Sequence, residues 1–347
     1  MVCNPRSPPR RMAAAILAAG LALGGPALGV MGAAGLPARP AAAAEQPFPV
    51  WLDELRREAL AGGISPGVLD RALAGLEPNP RVIELDRRQP EGTMTFATYR
   101  TRVVARQRID QGRQLLADNR QLLAAVEQRY GVPAPFIVAL WGVETSYGRV
   151  TGNFPVVTSL ATLAYDGRRA ELFRGELINA LRILDQGHIT ADGMLGSWAG
   201  AMGQSQFMPS SFLNFAVDYD GDGRRDIWGT RSDVFASIAN YLSSSGWTPG
   251  GWGREVRVPA GMVLPTSAIA GADDQRPMAE WAARGLVQAD GSPLPMDGST
   301  AGLVLPERDG TGPAFLVHPN YRVLLRWNRS TYFALAVSEL ADRLAQP

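Results

Sequence analysis

Lysine is absent: all 34 basic residues of this 347-residue chain are arginine. That excludes Schiff-base chemistry and any phosphate-binding loop that relies on a lysine. Cysteine is nearly absent as well, the single example being Cys3. Once residues 1–44 are removed, as argued below, no thiol nucleophile, disulfide or thiolate metal site remains. Histidine is limited to His188 and His318, far apart in sequence. Two histidines cannot build a three-His zinc site, and a Ser-His-Asp triad would have to use one of them. His188 lies in the loop-like Asp185-Gln186-Gly187-His188 and His318 precedes Pro319, settings that suit ordinary loop residues. Carboxylates are left as the candidates for chemistry.

An excess of positive charge is also missing. Arg10-Arg11 flanks an apolar stretch from Ala13 to Val30, and Ala41 to Ala44 offer small-residue cleavage sites before Glu45. This pattern reads as an export signal over residues 1–44, with an uncleaved membrane anchor as the alternative. Its removal takes four arginines and no acid, so 30 basic residues face 33 acidic ones. That balance gives no grip on nucleic acid. The expected location is the periplasm, as a soluble monomer that touches the membrane only through an uncleaved signal.

After the signal the chain begins helical. Trp51, Leu52, Leu55 and Leu60 keep near-helical spacing, and Ser65-Pro66 reads as an N-cap followed by proline at the first helical position. Residues Ile109 to Arg129 predict one amphipathic helix closed by Gly131 and Pro133. Pro133 to Tyr147 is a strongly apolar helix, Phe173 to Leu184 another that stops at Gly187, and Val234 to Leu242 a third ended by Gly246. From about Thr248 to Pro319 the apolar runs shorten and Pro and Gly become frequent, as in a β-rich module. Helical spacing returns at Tyr332, Leu335 and Leu340.

Three constellations carry chemistry. Glu144 ends the apolar run Phe136 to Val143 and precedes Thr145-Ser146-Tyr147-Gly148. A carboxyl attached to so much apolar surface is partly desolvated, which raises its pKa and suits it to general acid catalysis. Gly196 to Ser211 is rich in Gly and Ala, allows close backbone approach, and supplies Trp198, Phe207, Ser197 and Gln206. Flat apolar faces beside amides suit a sugar. Asp218, Asp220, Asp222 and Asp226, with Gly223 at the sixth position, follow an EF-hand pattern, but Gly229 stands where the bidentate Glu belongs. The next acid, Asp233, lies four residues further on.

These blocks together resemble the exported lytic murein transglycosylases of the B type, soluble relatives of membrane-bound lytic transglycosylase B. The resemblance covers nearly all of the chain after the signal: Leu85 to Glu91, Trp141 to Gly148, Arg168 to Glu171, Gly200 to Ser211, the acidic loop, Ala239 to Tyr241, and Arg326 to Ser330. It implies a mainly α (α+β) fold with a lysozyme-like core. The expected division is a helical N-terminal domain over 45–130, the core with its EF-hand-like loop over 131–248, an inserted β-rich module over 249–319, and a return to the core over 320–347.

The resemblance further implies cleavage of the β-1,4 bond between N-acetylmuramic acid and N-acetylglucosamine in peptidoglycan, without water and with 1,6-anhydro ends. Glu144 takes the place of the single acid/base and Ser197 that of its hydrogen-bonding partner. Tyr99, Arg168, Arg169, Gln206, Tyr241, Trp327 and Asn328 match positions lining the groove for glycan strands. Trp327 and Phe333 stand where relatives often carry Tyr, so each keeps an aromatic face and loses a hydroxyl. No cofactor is expected for the chemistry. A structural Ca2+ is expected on Asp218, Asp220, Asp222 and Asp233 with the Arg224 carbonyl. Two alternatives stay open: a muramidase that hydrolyses the same bond, and a non-catalytic peptidoglycan-binding protein.

Overall fold

Proline stands in the first turn of six of the helices described below, and glycine caps the C-terminus of three. The computed structural model describes residues 46–88, 94–262, 274–307 and 310–346. The expected signal over 1–44 lies outside the described residues, as do Gln89, Pro90 and Glu91 of the first family-like block. Six helices precede the apolar one: α1 (Phe48–Ala61), α2 (Pro66–Ala72), α3 (Pro80–Arg87), α4 (Phe96–Val103), α5 (Arg106–Asp118) and α6 (Arg120–Tyr130). The apolar helix is α7 (Ala134–Thr145), followed by α8 (Val156–Asp166), α9 (Ala170–Asp185), α10 (Pro209–Phe215) and α11 (Arg231–Ser244). Strands β1 (Phe154–Pro155) and β2 (Leu195–Gly196) form a two-stranded antiparallel ribbon. No helix among the described residues is long and apolar enough to cross a membrane.

The helix expected over 109–129 is two helices, broken at Asn119. Asn119 leaves the helical region at φ −111°, ψ 17°, and its Nδ2 donates to the Leu115 carbonyl at 2.7 Å. A side chain that satisfies a terminal carbonyl ends a helix that hydrophobic spacing alone would continue. Ser65 does precede α2, but its hydroxyl and N–H both go to Asp185 Oδ1 at the end of α9, at 2.5 and 3.0 Å. The cap-like serine therefore ties the N-terminal helices to α9.

A second sheet has five antiparallel strands in the order β4-β6-β7-β3-β5. They are β3 (Gly253–Arg257), β4 (Gln275–Pro277), β5 (Val287–Gln288), β6 (Thr300–Val304) and β7 (Ala314–Val317), with the short helix α12 (Met278–Ala283) after β4. Trp281, Leu303 and Leu316 fill a core on this sheet, and the Trp281 indole donates to the Ala301 carbonyl at 2.8 Å. The chain then forms α13 (Pro319–Trp327) and α14 (Thr331–Ala345). The fold is mainly α, of the α+β class.

Helix α7 is the centre of the larger core. Phe136 through Gly142 are all buried, and α5, α11 and α14 pack around it. Helices α1, α2, α8 and α9 build a second core with Trp198, Phe207 and Phe212. The C-terminus of α7 turns back sharply: Ser146 and Tyr147 adopt φ of 50° and 63°, and the buried Tyr147 donates its hydroxyl to the Arg108 carbonyl at 2.8 Å. Left-handed backbone at two successive non-glycine residues is unfavourable unless its surroundings enforce it. Here the Tyr147 ring needs a helix face with no side chain, and Gly142 provides one. A Cβ on Gly142 would lie 2.5 Å from Tyr147 Cε1.

Gly142→Ala is therefore expected to lower stability by about 1–3 kcal/mol despite the better helix propensity of alanine. Gly175, exposed in α9 with open space at its Cβ position, is the contrast: Gly175→Ala should raise stability by about 0.5–1 kcal/mol. Thermal unfolding of both variants checks the pair, and equal signs would refute the account.

Candidate active site

The turn after α7 presents Glu144. Thr145 is buried beside it and donates its hydroxyl to the carbonyls of Trp141 and Gln204 at 3.2 and 2.9 Å, while accepting the Gly148 N–H at 3.0 Å. Gln204 joins the two segments: its Oε1 accepts from Trp141 Nε1 at 2.9 Å, and its Nε2 donates to the Trp228 carbonyl at 2.8 Å. The helix end and the glycine-rich segment are thus fixed to one another by polar bonds in a protected place. Sequence reasoning missed Gln204, whose signal was only an amide inside a Gly/Ala-rich run.

The glycine-rich segment is a tight antiparallel turn. Met202 and Phe207 exchange N–H···O bonds at 2.8 and 3.1 Å, and Ser197 N donates to the Ala201 carbonyl at 2.8 Å. A Cβ on Gly196 would meet the Ala201 oxygen at 2.1 Å, so glycine is required there. Gln206 stands at φ 51°, and its Nε2 donates to the carbonyls of Thr151 and Gly203 at 3.0 and 2.9 Å.

Glu144 is half-buried as a residue, and its carboxyl is surrounded. Burial pushes its pKa up to about 7, opposed by one hydrogen bond from Trp327. That bond runs from Trp327 Nε1 to Glu144 Oε1 at 2.7 Å. The expectation gave this place to Ser197. Its Oγ instead accepts the Ala201 N–H at 3.0 Å. Trp327, expected to offer only an aromatic face, supplies an indole N–H donor to the carboxyl.

Trp327 also brings the other aromatic residues to the acid. Its ring lies 4.7 Å from Tyr241 and 5.3 Å from Phe207. Tyr241 donates to the Arg326 carbonyl at 2.8 Å. Asn328 leaves α13 in an extended conformation, and its Oδ1 accepts the Ser330 N–H at 3.0 Å. Tyr99 on α4 feels the same acid: burial and the Glu144 charge push its phenol up to about 12. The Tyr332 ring lies tilted against it at 5.9 Å, its hydroxyl donating to Glu307 Oε2 at 2.9 Å.

Arg168 and Arg169 are placed differently. Both guanidinium groups converge on the buried Asp86, Arg168 Nε at 2.9 Å and an Arg169 terminal nitrogen at 2.6 Å. An arginine pair on one buried carboxylate satisfies that charge and fixes the direction of both side chains. Arg168 stays exposed.

In the acidic loop, carboxylate oxygens of Asp218, Asp220 and Asp222 come within 4.8 Å of one another. Asp218 accepts the Gly221 and Gly223 N–H groups at 2.7 and 2.9 Å, and the Arg224 N–H goes to Asp222 Oδ1 at 2.8 Å. Three hard oxygen donors so close together suit a calcium ion. Asp233 is buried, and its two oxygens accept the N–H groups of Tyr219 and Asp226 at 2.9 and 2.8 Å, closing the two ends of the loop.

Comparison with known proteins gives three points of likeness. The transglycosylase SLT domain family matches residues 47–342. Membrane-bound lytic murein transglycosylase B of Escherichia coli K12 is 35% identical over 230 residues, 63% of this chain and 58% of that protein's length. Among solved structures, SltB3 of Pseudomonas aeruginosa in complex with NAG-NAM-pentapeptide superposes with a TM-score of 0.82 at 46% identity, over 87% of this chain and 80% of that one. A complex of SltB3 with NAG-anhNAM-pentapeptide matches at 0.80 and 47%, over 86% and 80%. The Escherichia coli lytic transglycosylase Slt35 in complex with calcium matches at 0.71 and 30%, over 87% and 93%.

A raised carboxyl pKa has a thermodynamic sign. Glu144 titrates near 4.5 when unfolded and near 7 when folded. The native state holds the extra proton between those values, so this residue's contribution to stability falls as pH rises through that window. Glu144→Gln keeps an acceptor for Trp327 and removes the charge. Its stability should exceed that of the parent by at least about 1 kcal/mol at pH 8, with little difference at pH 4. Chemical denaturation at both pH values measures this.

Proposed function

The chain belongs to the transglycosylase SLT domain family, and on that premise we propose that it is a lytic transglycosylase acting on peptidoglycan glycan strands, with Glu144 as its single acid/base. The observation that carries the reading is a carboxyl poised near neutral pH by burial and held by one indole donor among aromatic side chains. Such an acid is protonated often enough to give up its proton and basic enough to take one back. Glu144 first protonates the glycosidic oxygen as the bond to C1 of N-acetylmuramic acid breaks. The resulting carboxylate then accepts the proton of the C6 hydroxyl as that oxygen bonds to C1. The ring closes to a 1,6-anhydro sugar, and Glu144 ends protonated again.

A conventional glycosidase needs a second carboxylate, as nucleophile or to activate water. An internal hydroxyl removes that requirement, which agrees with one acid among aromatic residues. Tyr241 and Trp327, backed by the buried Phe207, offer apolar faces for sugar rings, and Tyr99 and Asn328 offer polar groups at their edges. The complexes of SltB3 with NAG-NAM-pentapeptide and NAG-anhNAM-pentapeptide support this substrate and product. With Ser197 turned to Ala201, the partner role at Glu144 passes to Trp327. Export through residues 1–44, action in the periplasm as a monomer, and the division of the chain at 130, 248 and 319 complete the reading.

Mass analysis of muropeptides released from purified sacculi tests it. Anhydro ends are one water lighter than hydrolytic ends, and a product mixture of hydrated reducing ends alone would make the protein a muramidase. Glu144→Gln should retain glycan binding while turnover falls by a factor of at least about a thousand. Unchanged turnover would remove Glu144 from its role, and a parent protein that binds without cleaving would leave a binding module.

Calcium is proposed as a structural ligand of Asp218, Asp220 and Asp222, with the Arg224 carbonyl and Asp233 closing the loop. It supplies charge neutralisation in the loop and no step of the reaction. At a hundredfold excess over its Kd, Ca2+ should stabilise the protein by about 3 kcal/mol, an effect removed by chelator. Asp222→Ala should abolish the response. No change in melting temperature on adding Ca2+ to stripped protein would rule the site out.

A further inference from the structure

The bond between Trp327 and Glu144 has a chemical asymmetry. An indole N–H donates and cannot accept. Glu144 Oε1, 2.7 Å from Trp327 Nε1, must therefore offer a lone pair in both protonation states of the carboxyl. A protonated Oε1 would offer that N–H only the poorer acceptor of a hydroxyl oxygen, whereas the carbonyl oxygen of the neutral acid is the better one. The neutral acid therefore places its proton on Oε2.

The indole is itself held in place. It packs against Tyr241 and Phe207, whose rings also touch each other, and Tyr241 is tied to the carbonyl of Arg326, the residue just before Trp327. Phe207 is fixed by its two backbone bonds to Met202. Trp327 ends α13, where Asn328 turns the chain out of the helix. The donor therefore arrives at Oε1 on a rigid element, with little freedom to follow the carboxyl if it turns.

We infer that Trp327 is a positioning residue that confines the acidic proton of Glu144 to Oε2, making that oxygen the one that gives the proton and takes it back. A tyrosine hydroxyl at this position would rotate between donating and accepting, and would leave the proton free to sit on either oxygen. The confinement follows from the contact alone; its use in proton delivery rests on the function proposed above. Among the described residues Tyr99 on α4 feels the Glu144 charge, and at about 12 it stays neutral through the working range. The half-buried Arg108 acts on that phenol in the opposite direction. Trp327 carries no charge, so its effect on Glu144 is that of a directed bond.

The test replaces the Trp327 indole in the full-length chain with its benzothiophene isostere, which puts sulfur where the N–H was and preserves ring shape. Trp327→Phe is the second variant, with thermal unfolding reporting whether each folds. The carboxyl of Glu144, labelled with 13C and assigned by its disappearance in Glu144→Gln, is titrated by NMR. Loss of the donor removes a bond to the charged form, so the pKa of Glu144 should rise by about one unit in both variants. The limb of the kcat–pH profile assigned to Glu144 should move with it, and kcat should fall about tenfold with KM changed less than about twofold. A role confined to packing would lower the melting temperature and leave the titration where it was. An unshifted Glu144 in the folded isostere overturns the inference. Cleavage surviving in Glu144→Gln would overturn the proposed function instead, and the titration would still report the contact.

Discussion

Placing an ionisable carboxyl at the end of a helix whose preceding turns are entirely buried is unfavourable, and most of the architecture around Glu144 serves to hold it there. Helix α7 is sealed by α5, α11 and α14, so its end cannot drift toward solvent. Burial raises the pKa of Glu144, while the Trp327 indole favours the charged form. The two effects oppose each other, and their difference leaves the group near neutrality. More burial without a donor would make a permanently neutral acid, and more donors would make a permanent anion. The proposed function, in which the group acts first as acid and then as base, needs the intermediate case.

The elements that fix this balance come from distant parts of the chain. The acid is at 144, its donor at 327, the aromatic support at 207 and 241, and the pin at 204. The five-stranded sheet lies between α11 and α13 in sequence, so α13 must return to α11 after it. The bond from Tyr241 on α11 to the Arg326 carbonyl on α13 spans that gap. Asn320 spans it too, its Nδ2 donating to the carbonyls of Thr248 and Gly250 at 2.9 and 3.1 Å. The position of Trp327 over Glu144 is set by how the chain closes around the sheet, which gives the small β-rich segment a structural share in the acid's environment.

Much of this was readable from the residues. The apolar run into Glu144, the stop of α9 before Gly187 and the loss of helical periodicity near Thr248 all have local causes: hydrophobic spacing, left-handed glycine, and short strands among turn residues. The mainly α, lysozyme-like class followed from the family resemblance that the blocks carry. What could not be read was which partner each polar side chain takes. Ser65 looks like a cap and bonds Asp185, Asn119 looks like a helix interior and ends one, and Arg168 and Arg169 look like groove cations and meet on Asp86. Each of these choices is made across long sequence separations or by competition between backbone and side chain. Spacing along one element carries no information about them.

Trp327 shows the same limit in its most consequential form. Read as an aromatic in place of tyrosine, it keeps a face and loses a hydroxyl. Folded, its N–H reaches the carboxyl that the site is built around. The two ring types are alike as platforms for a sugar and unlike as partners for an acid, because one can only donate and the other can do both. Exchange between them therefore leaves the stacking surface nearly constant while changing the protonation geometry of Glu144.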